Sequence, residues 1–79
     1  MLFTNNLVGG DAMHIGIEFE LFNTTLGTII SEGKGYQVVH INGEVDLDSR
    51  EGVKVMNQAV AKEINRSASD IKVLGYKMI

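Results

Sequence analysis

His14, Glu18 and Glu20 fall on alternate positions of one short stretch, so a strand would present them together. Two carboxylates two residues apart, joined by Asp46 from a neighbouring strand, are the right donors for a hard cation such as Mg2+. His14 is four residues from Glu18, about 13 Å along a strand, too far to share one ion from this strand alone. The simpler reading of these residues is the acidic, solvated face of a one-sided sheet, and no metal site is expected. His40 could act as a general base or a ligand. No serine or second histidine stands near it in the order a catalytic triad needs, and a half-buried structural histidine is expected. Gly33-Lys34-Gly35 is a fragment of a phosphate-loop pattern, without the Lys-Ser/Thr pair or the following helix such a loop requires, and reads as a turn. Asp46, Asp48 and Glu51 lack the twelve-residue spacing and the glycine of a calcium loop. The absence of cysteine removes disulfides, thiolate ligands and thiol nucleophiles.

The run Gly16-Ile17-Glu18-Phe19-Glu20 is similar to the G-x-E-x-E opening of glutamate–cysteine-ligase-like carboxylate–amine ligases, whose strand carboxylates hold Mg2+ and ATP. The resemblance covers five residues of 79. Any alternating acidic strand matches it, and the chain is too short for that catalytic domain.

The elements that would position these residues are strands and one helix. Residues 13–22 alternate Ile15, Ile17, Phe19 and Leu21 with polar positions and predict a strand apolar on one face. After a turn at Asn23-Thr24-Thr25, residues 26–31 predict a second strand. Glu32 to Gly35 read as a tight connection and residues 36–41 as a third strand. Asn42-Gly43 is a strong hairpin signal, because a type I′ turn needs positive φ at both positions. Residues 44–47 then form a short fourth strand, with Tyr36, Val38, His40, Val45 and Leu47 on one face. A helix is expected over 48–66. Asp48 and Glu51 have capping-box spacing, Val53, Met56, Val60 and Ile64 form the buried stripe, and Val55 points away from it, to solvent or to a contact with another subunit or partner. Gly52 costs about 1 kcal/mol in a helix relative to alanine, unless it permits a close approach of the helix to a strand. Residues 71–79 predict a last strand with a bulge near Gly75 that switches the pleat. It is apolar on both sides, which suits a central strand or an edge that pairs with another chain. The expected fold is α+β: an antiparallel sheet of four to five strands with one helix on one face, in the order β-β-β-(β)-α-β. Residues 1–12 read as an arm and 13–79 as a single domain.

A net charge of −3 conceals an asymmetry. Residues 1–48 hold seven acids and one base, and residues 49–79 hold six bases and three acids. Such a layout favours head-to-tail contacts or a charged partner. Overall acidity argues against nucleic acid, where phosphate contacts supply most of the affinity. No run of about 18 apolar residues suggests a membrane span. The start lacks the basic and apolar regions of a signal peptide, so cytoplasmic residence is the default.

Three functional readings follow, in descending order of support. The first is a small non-catalytic interaction protein, homo-oligomeric because so short a chain buries a small core. It would be of the inhibitor or adaptor type that viruses and mobile elements encode. Its partner-binding residues would be Leu2 and Phe3 of the arm, Arg50, Lys54 and Lys62 of the helix, and Tyr76 and Met78 of the last strand. The partner is a protein whose identity the sequence does not give. The second is a binder of a small anionic, nucleotide-like ligand in a pocket between subunits, using Tyr36, His40, Arg50 and Lys54. The third is a divalent-metal enzyme fragment using Glu18, Glu20 and Asp46. No catalytic residues and no cofactor are expected.

Overall fold

A computed structural model describes residues 12–43 and 45–79. Strand β1 (Ala12–Thr25) turns into β2 (Thr28–Asn42), a loop leads to helix α1 (Arg50–Ile64), and a short 3-10 turn (Ala68–Asp70) feeds β3 (Ile71–Met78). The sheet is antiparallel in the order β2-β1-β3. The described residues are thus a small α+β domain with three strands rather than four to five, in the order β-β-α-β. The arm positions Leu2 and Phe3, and Glu44 of the expected fourth strand, lie outside the described residues. Residues 45–47, the rest of that strand, are loop and turn.

Strand β1 is the centre of the sheet because its alternation is the cleanest in the chain. Ile15 and Ile17 are fully buried and Phe19 almost so. The core joins them to Val39 and Ile41 of β2, Leu47, Met56, Val60 and Ala61 of the helical segment, and Ile71 of β3. Each fully buried aliphatic side chain contributes about 1.5–3 kcal/mol.

The first hairpin does not turn at Asn23-Thr24-Thr25. Those residues stay in β1, and the reversal comes at Leu26-Gly27, with φ of 53° and 80°. Both values are positive, as a two-residue hairpin turn demands. Nor do Glu32 to Gly35 form a connection. They lie within β2 as a bulge: Leu21 pairs with Gly33 and Phe22 with Ser31, leaving Glu32 unopposed. Gly33 takes φ of 107°, a conformation that suits glycine. The extra residue flips the pleat of everything after it. Val39 and Ile41 therefore point into the core, while Tyr36, Val38 and His40 point out; Leu47, expected to share a face with those three, is instead buried with Val39 and Ile41.

In the helix, the N-cap is Ser49 rather than Asp48. Its hydroxyl accepts from the Gly52 N–H at 3.0 Å. At the C-terminal end, Asn65 adopts the left-handed conformation and donates its N–H to the Ala61 carbonyl, so Arg66 falls outside the helix. The buried face is Gly52, Met56, Val60 and Ala61. The stripe is therefore rotated from the expected one: Val53 is 41% exposed, and Val55 packs against the core instead of facing solvent. In β3, Phe19 pairs with Val73 and Glu18 with Gly75, so Leu74 is the extra residue of a bulge. The pleat switch foreseen near Gly75 is present. It aligns Ile71, Val73, Tyr76 and Met78 with the core-facing residues of β1.

The domain is elongated, 54 × 20 × 19 Å. A 15-residue helix is about 22 Å long, whereas 14 residues of strand reach about 46 Å. The end of the β1–β2 hairpin therefore projects past the helix, and Leu26 at its tip is 99% exposed. Arg66 braces the base of this projection. It donates to Glu32 Oε2 at 3.2 Å and to the Phe22 carbonyl at 3.2 Å, and it stands 3.8 Å from Asp70. The Glu32 hydrogen bond holds the Arg66 guanidinium protonated beyond its ordinary range.

Candidate functional site

The helix covers one face of the sheet and leaves the other bare. Cross-strand register fills the bare face row by row. His14 stands opposite His40, Gly16 lies between Val38 and Lys77, Glu18 between Tyr36 and Gly75, and Glu20 between Lys34 and Lys72. This face is not the acidic surface expected from the first half of the chain. The basic residues of β3 are brought beside the acids of β1, and opposite charges on neighbouring strands stabilise the pairing by a few tenths of a kcal/mol, roughly. Glu20 also accepts from the Ser31 hydroxyl at 2.6 Å.

Two groups on this face have defined geometry. The imidazoles of His14 and His40 stack with centroids 4.2 Å apart and planes within 3°. Both residues are exposed, which corrects the half-buried role expected for His40. Tyr36 lays its phenol ring over Gly16, where any side chain would collide with it. Lys77 Nζ sits 5.7 Å from the centre of that ring, within reach of a cation–π attraction. Together with Glu18, Gly75 and Tyr76 these residues line a shallow depression of about 400 Å³.

No protein-family model, no curated protein and no solved structure matches this chain. The residues themselves therefore carry the functional argument. Arg50, Lys54 and Lys62 are exposed on the helix, and Met78 is 56% exposed on β3. Tyr36 and His40 are on the bare face, the opposite side of the sheet from α1, so one copy of the chain does not gather them with Arg50 and Lys54. Glu18 and Glu20 are on the bare face, while Asp46 is in the loop before the helix, where its Oδ1 accepts from the Asp48 N–H at 3.0 Å. Among the described residues, no three His, Asp or Glu side chains converge on a point that could hold a metal ion. No helix among them is long and apolar enough to cross a membrane.

The His14–His40 pair, the Lys77–Tyr36 contact and the Glu32–Arg66 brace were not foreseen from the sequence. Only the first left a trace there: the chain has just two histidines, each in a stretch that predicts a strand. Without the Glu32 bulge, His14 would stand opposite Val39.

Tyr76 has a second, unforeseen role. Its hydroxyl donates to Asp48 Oδ1 at 2.8 Å, tying β3 to the loop that starts the helix. That hydrogen bond raises the Tyr76 pKa above the ordinary 10.0, with burial and the charges of Asp48 and Asp46 acting in the same direction. A raised folded-state pKa means that this contribution to stability is complete below the unfolded value of 10.0. It is lost as pH rises through the higher folded value. Ultraviolet difference titration should show one tyrosine ionising late, and Tyr76→Phe should remove that late phase. An ordinary titration for the tyrosine that Tyr76→Phe removes would contradict the bond.

Proposed function

We propose that this chain is a small non-catalytic interaction protein, of the inhibitor or adaptor type, that self-associates and binds a partner by surface complementarity. The observation that carries the reading is the amount of large apolar side chain left outside the core. Tyr36 is 52% exposed on the bare face, and Val38, Leu74, Met78 and the hairpin-tip residues Leu26, Ile29 and Ile30 are also exposed. Apolar patches of this kind on a small domain mark contact surfaces. The sheet edge at β3, where Leu74 and Met78 lie, suits contact between copies. Arg50, Lys54 and Lys62 suit an acidic partner, with a contact that weakens as salt rises.

Native mass spectrometry of the purified chain, beside its denatured mass, tests this reading. A dimer or larger assembly without added mass is the expected result. Both Leu74 and Met78 are exposed, so the double change Leu74→Lys with Met78→Lys should shift the assembly to monomer and keep the fold. A bare monomer, or an assembly that this pair of changes leaves intact, would overturn it. Added mass of a few hundred daltons, roughly a nucleotide, would instead favour the small-ligand reading. The shallow depression at Tyr36 and Lys77 would then be the place to look. Lys77 would there supply the positive charge expected of Arg50 or Lys54.

A further inference from the structure

His14 and His40 are the only histidines in the chain. The fold sets them directly opposite one another on antiparallel strands, exposed on the bare face, with rings parallel and 4.2 Å apart. Directly opposed residues of such a pair hold their Cβ atoms about 4.5–5.5 Å apart. Imidazole nitrogens bind a late first-row ion at about 2.0–2.1 Å. Two of them on one ion must then stand about 3 Å apart. The rings stand close enough, at 4.2 Å, for one nitrogen of each to reach that separation, provided the side chains turn about χ1 and χ2 so that the ring planes tilt out of the stack and converge on the ion, the backbone staying fixed by the sheet.

We infer that His14 and His40 form a two-imidazole chelating site for a late first-row transition-metal ion of the Cu2+, Ni2+ and Zn2+ group. The remaining coordination positions are filled by water or by a donor from outside the chain. The surroundings on the face support this choice of ion. In the next row along, Gly16 and Val38 bring no charge, and the third member, Lys77, places its ammonium over the Tyr36 ring. On the other side Asn42, opposite Ala12, is a neutral polar neighbour. Glu18 is four residues from His14, about 13 Å away along the strand, so a hard oxygen-seeking cation finds no side-chain carboxylate on this row. Lys62 and Glu63 of α1 line a groove beside His40, along the outer side of β2. Imidazole pairs favour Cu2+ over Ni2+ and Zn2+ by the usual order of affinity. The site rests on strand register and ring geometry and is independent of the self-association proposed above.

Isothermal titration calorimetry of the full chain with NiCl2 and with ZnCl2 near neutral pH tests it. One saturable equivalent per chain is expected. His14→Asn and His40→Asn should each weaken it by at least about tenfold, because the second imidazole binds intramolecularly. Both side chains are exposed, so both variants should fold, and circular dichroism checks that they do. In NMR spectra, both imidazoles should respond together to substoichiometric Zn2+. Single variants that bind as tightly as the parent would overturn the inference, as would the absence of saturable binding. Equal binding of Mg2+ by the same two residues would also do so.

Discussion

Gly52→Ala is expected to destabilise the protein by about 2 kcal/mol, although alanine is the better helix former by about 1 kcal/mol. Gly52 sits in the first turn of α1, where the chain folds back on itself after the 46–48 loop. A Cβ at this position would collide with the Asp46 carbonyl oxygen and come within 2.6 Å of the Leu47 Cα. Both obstacles are backbone and cannot swing aside as a side-chain end would. The Asp46 carbonyl is also fixed from the other side, since it accepts from the Ser49 N–H at 3.0 Å and from the Ser49 hydroxyl at 2.6 Å. Moving it would disturb the N-cap that also serves Gly52, and would shift Leu47 out of the core. For a domain of this size, 1 kcal/mol corresponds to about 4–8 °C in Tm, so a fall of roughly 10 °C is expected. Gln58→Ala, at an exposed position of the same helix, should leave Tm unchanged or slightly raised. If Gly52→Ala also raised Tm, helix propensity would outweigh the close approach and the packing of the loop would be wrong.

The same glycine shows what a sequence can disclose. A Gly in the first turn of an otherwise regular helix signalled a close approach, but not what approached: a loop, not a strand. The first strand, the single helix and the bulge near Gly75 were legible because each has a strong local pattern; that the first strand is the centre of the sheet and the last an edge was not. The face of β2 was not. Tyr36, Val38 and His40 alternate with Gln37, Val39 and Ile41, and both sets contain apolar residues. One unopposed residue, Glu32, decides which set is buried. Leu26 hid the turn in the same way, since a leucine at φ of 53° has no turn signature. At the helix start, Asp48 and Ser49 are both good caps. The choice fell to Ser49, leaving Asp48 for Tyr76. The rotation of the helix stripe follows from Gly52, whose buried position turns Val53 outward. The His14–His40 pair depends on the same bulge as the β2 face, so pattern alone could not place it.

Phe19→Ala should be the most damaging single change among those considered, costing about 3–5 kcal/mol. A domain of this length is worth about 4–12 kcal/mol in total, so the loss takes from about a quarter to all of the protein's stability, and the urea midpoint should fall in proportion. Phe19 lies midway along the central strand, paired with Gly35 on β2 and with Val73 on β3. Its ring rests on Gly35, where an added Cβ would be 2.7 Å from the Phe19 Cζ. The ring thus supplies the apolar cover for a cross-strand position that has no side chain of its own. Its neighbour across that pair has no side chain to move into the space left behind, and the Leu74 bulge next to Val73 already fixes the other flank. This pairing gives the prediction a second, sharper form. Gly35→Ala alone should destabilise, because the new methyl meets the ring. In the double variant, that methyl enters the space the ring has left. The double variant should therefore be more stable than the sum of the two single effects by about 1 kcal/mol, read from urea midpoints of all four proteins. If the two losses simply added, the ring would not be seated on Gly35, and the packing of the central strand against β2 would have to be redrawn.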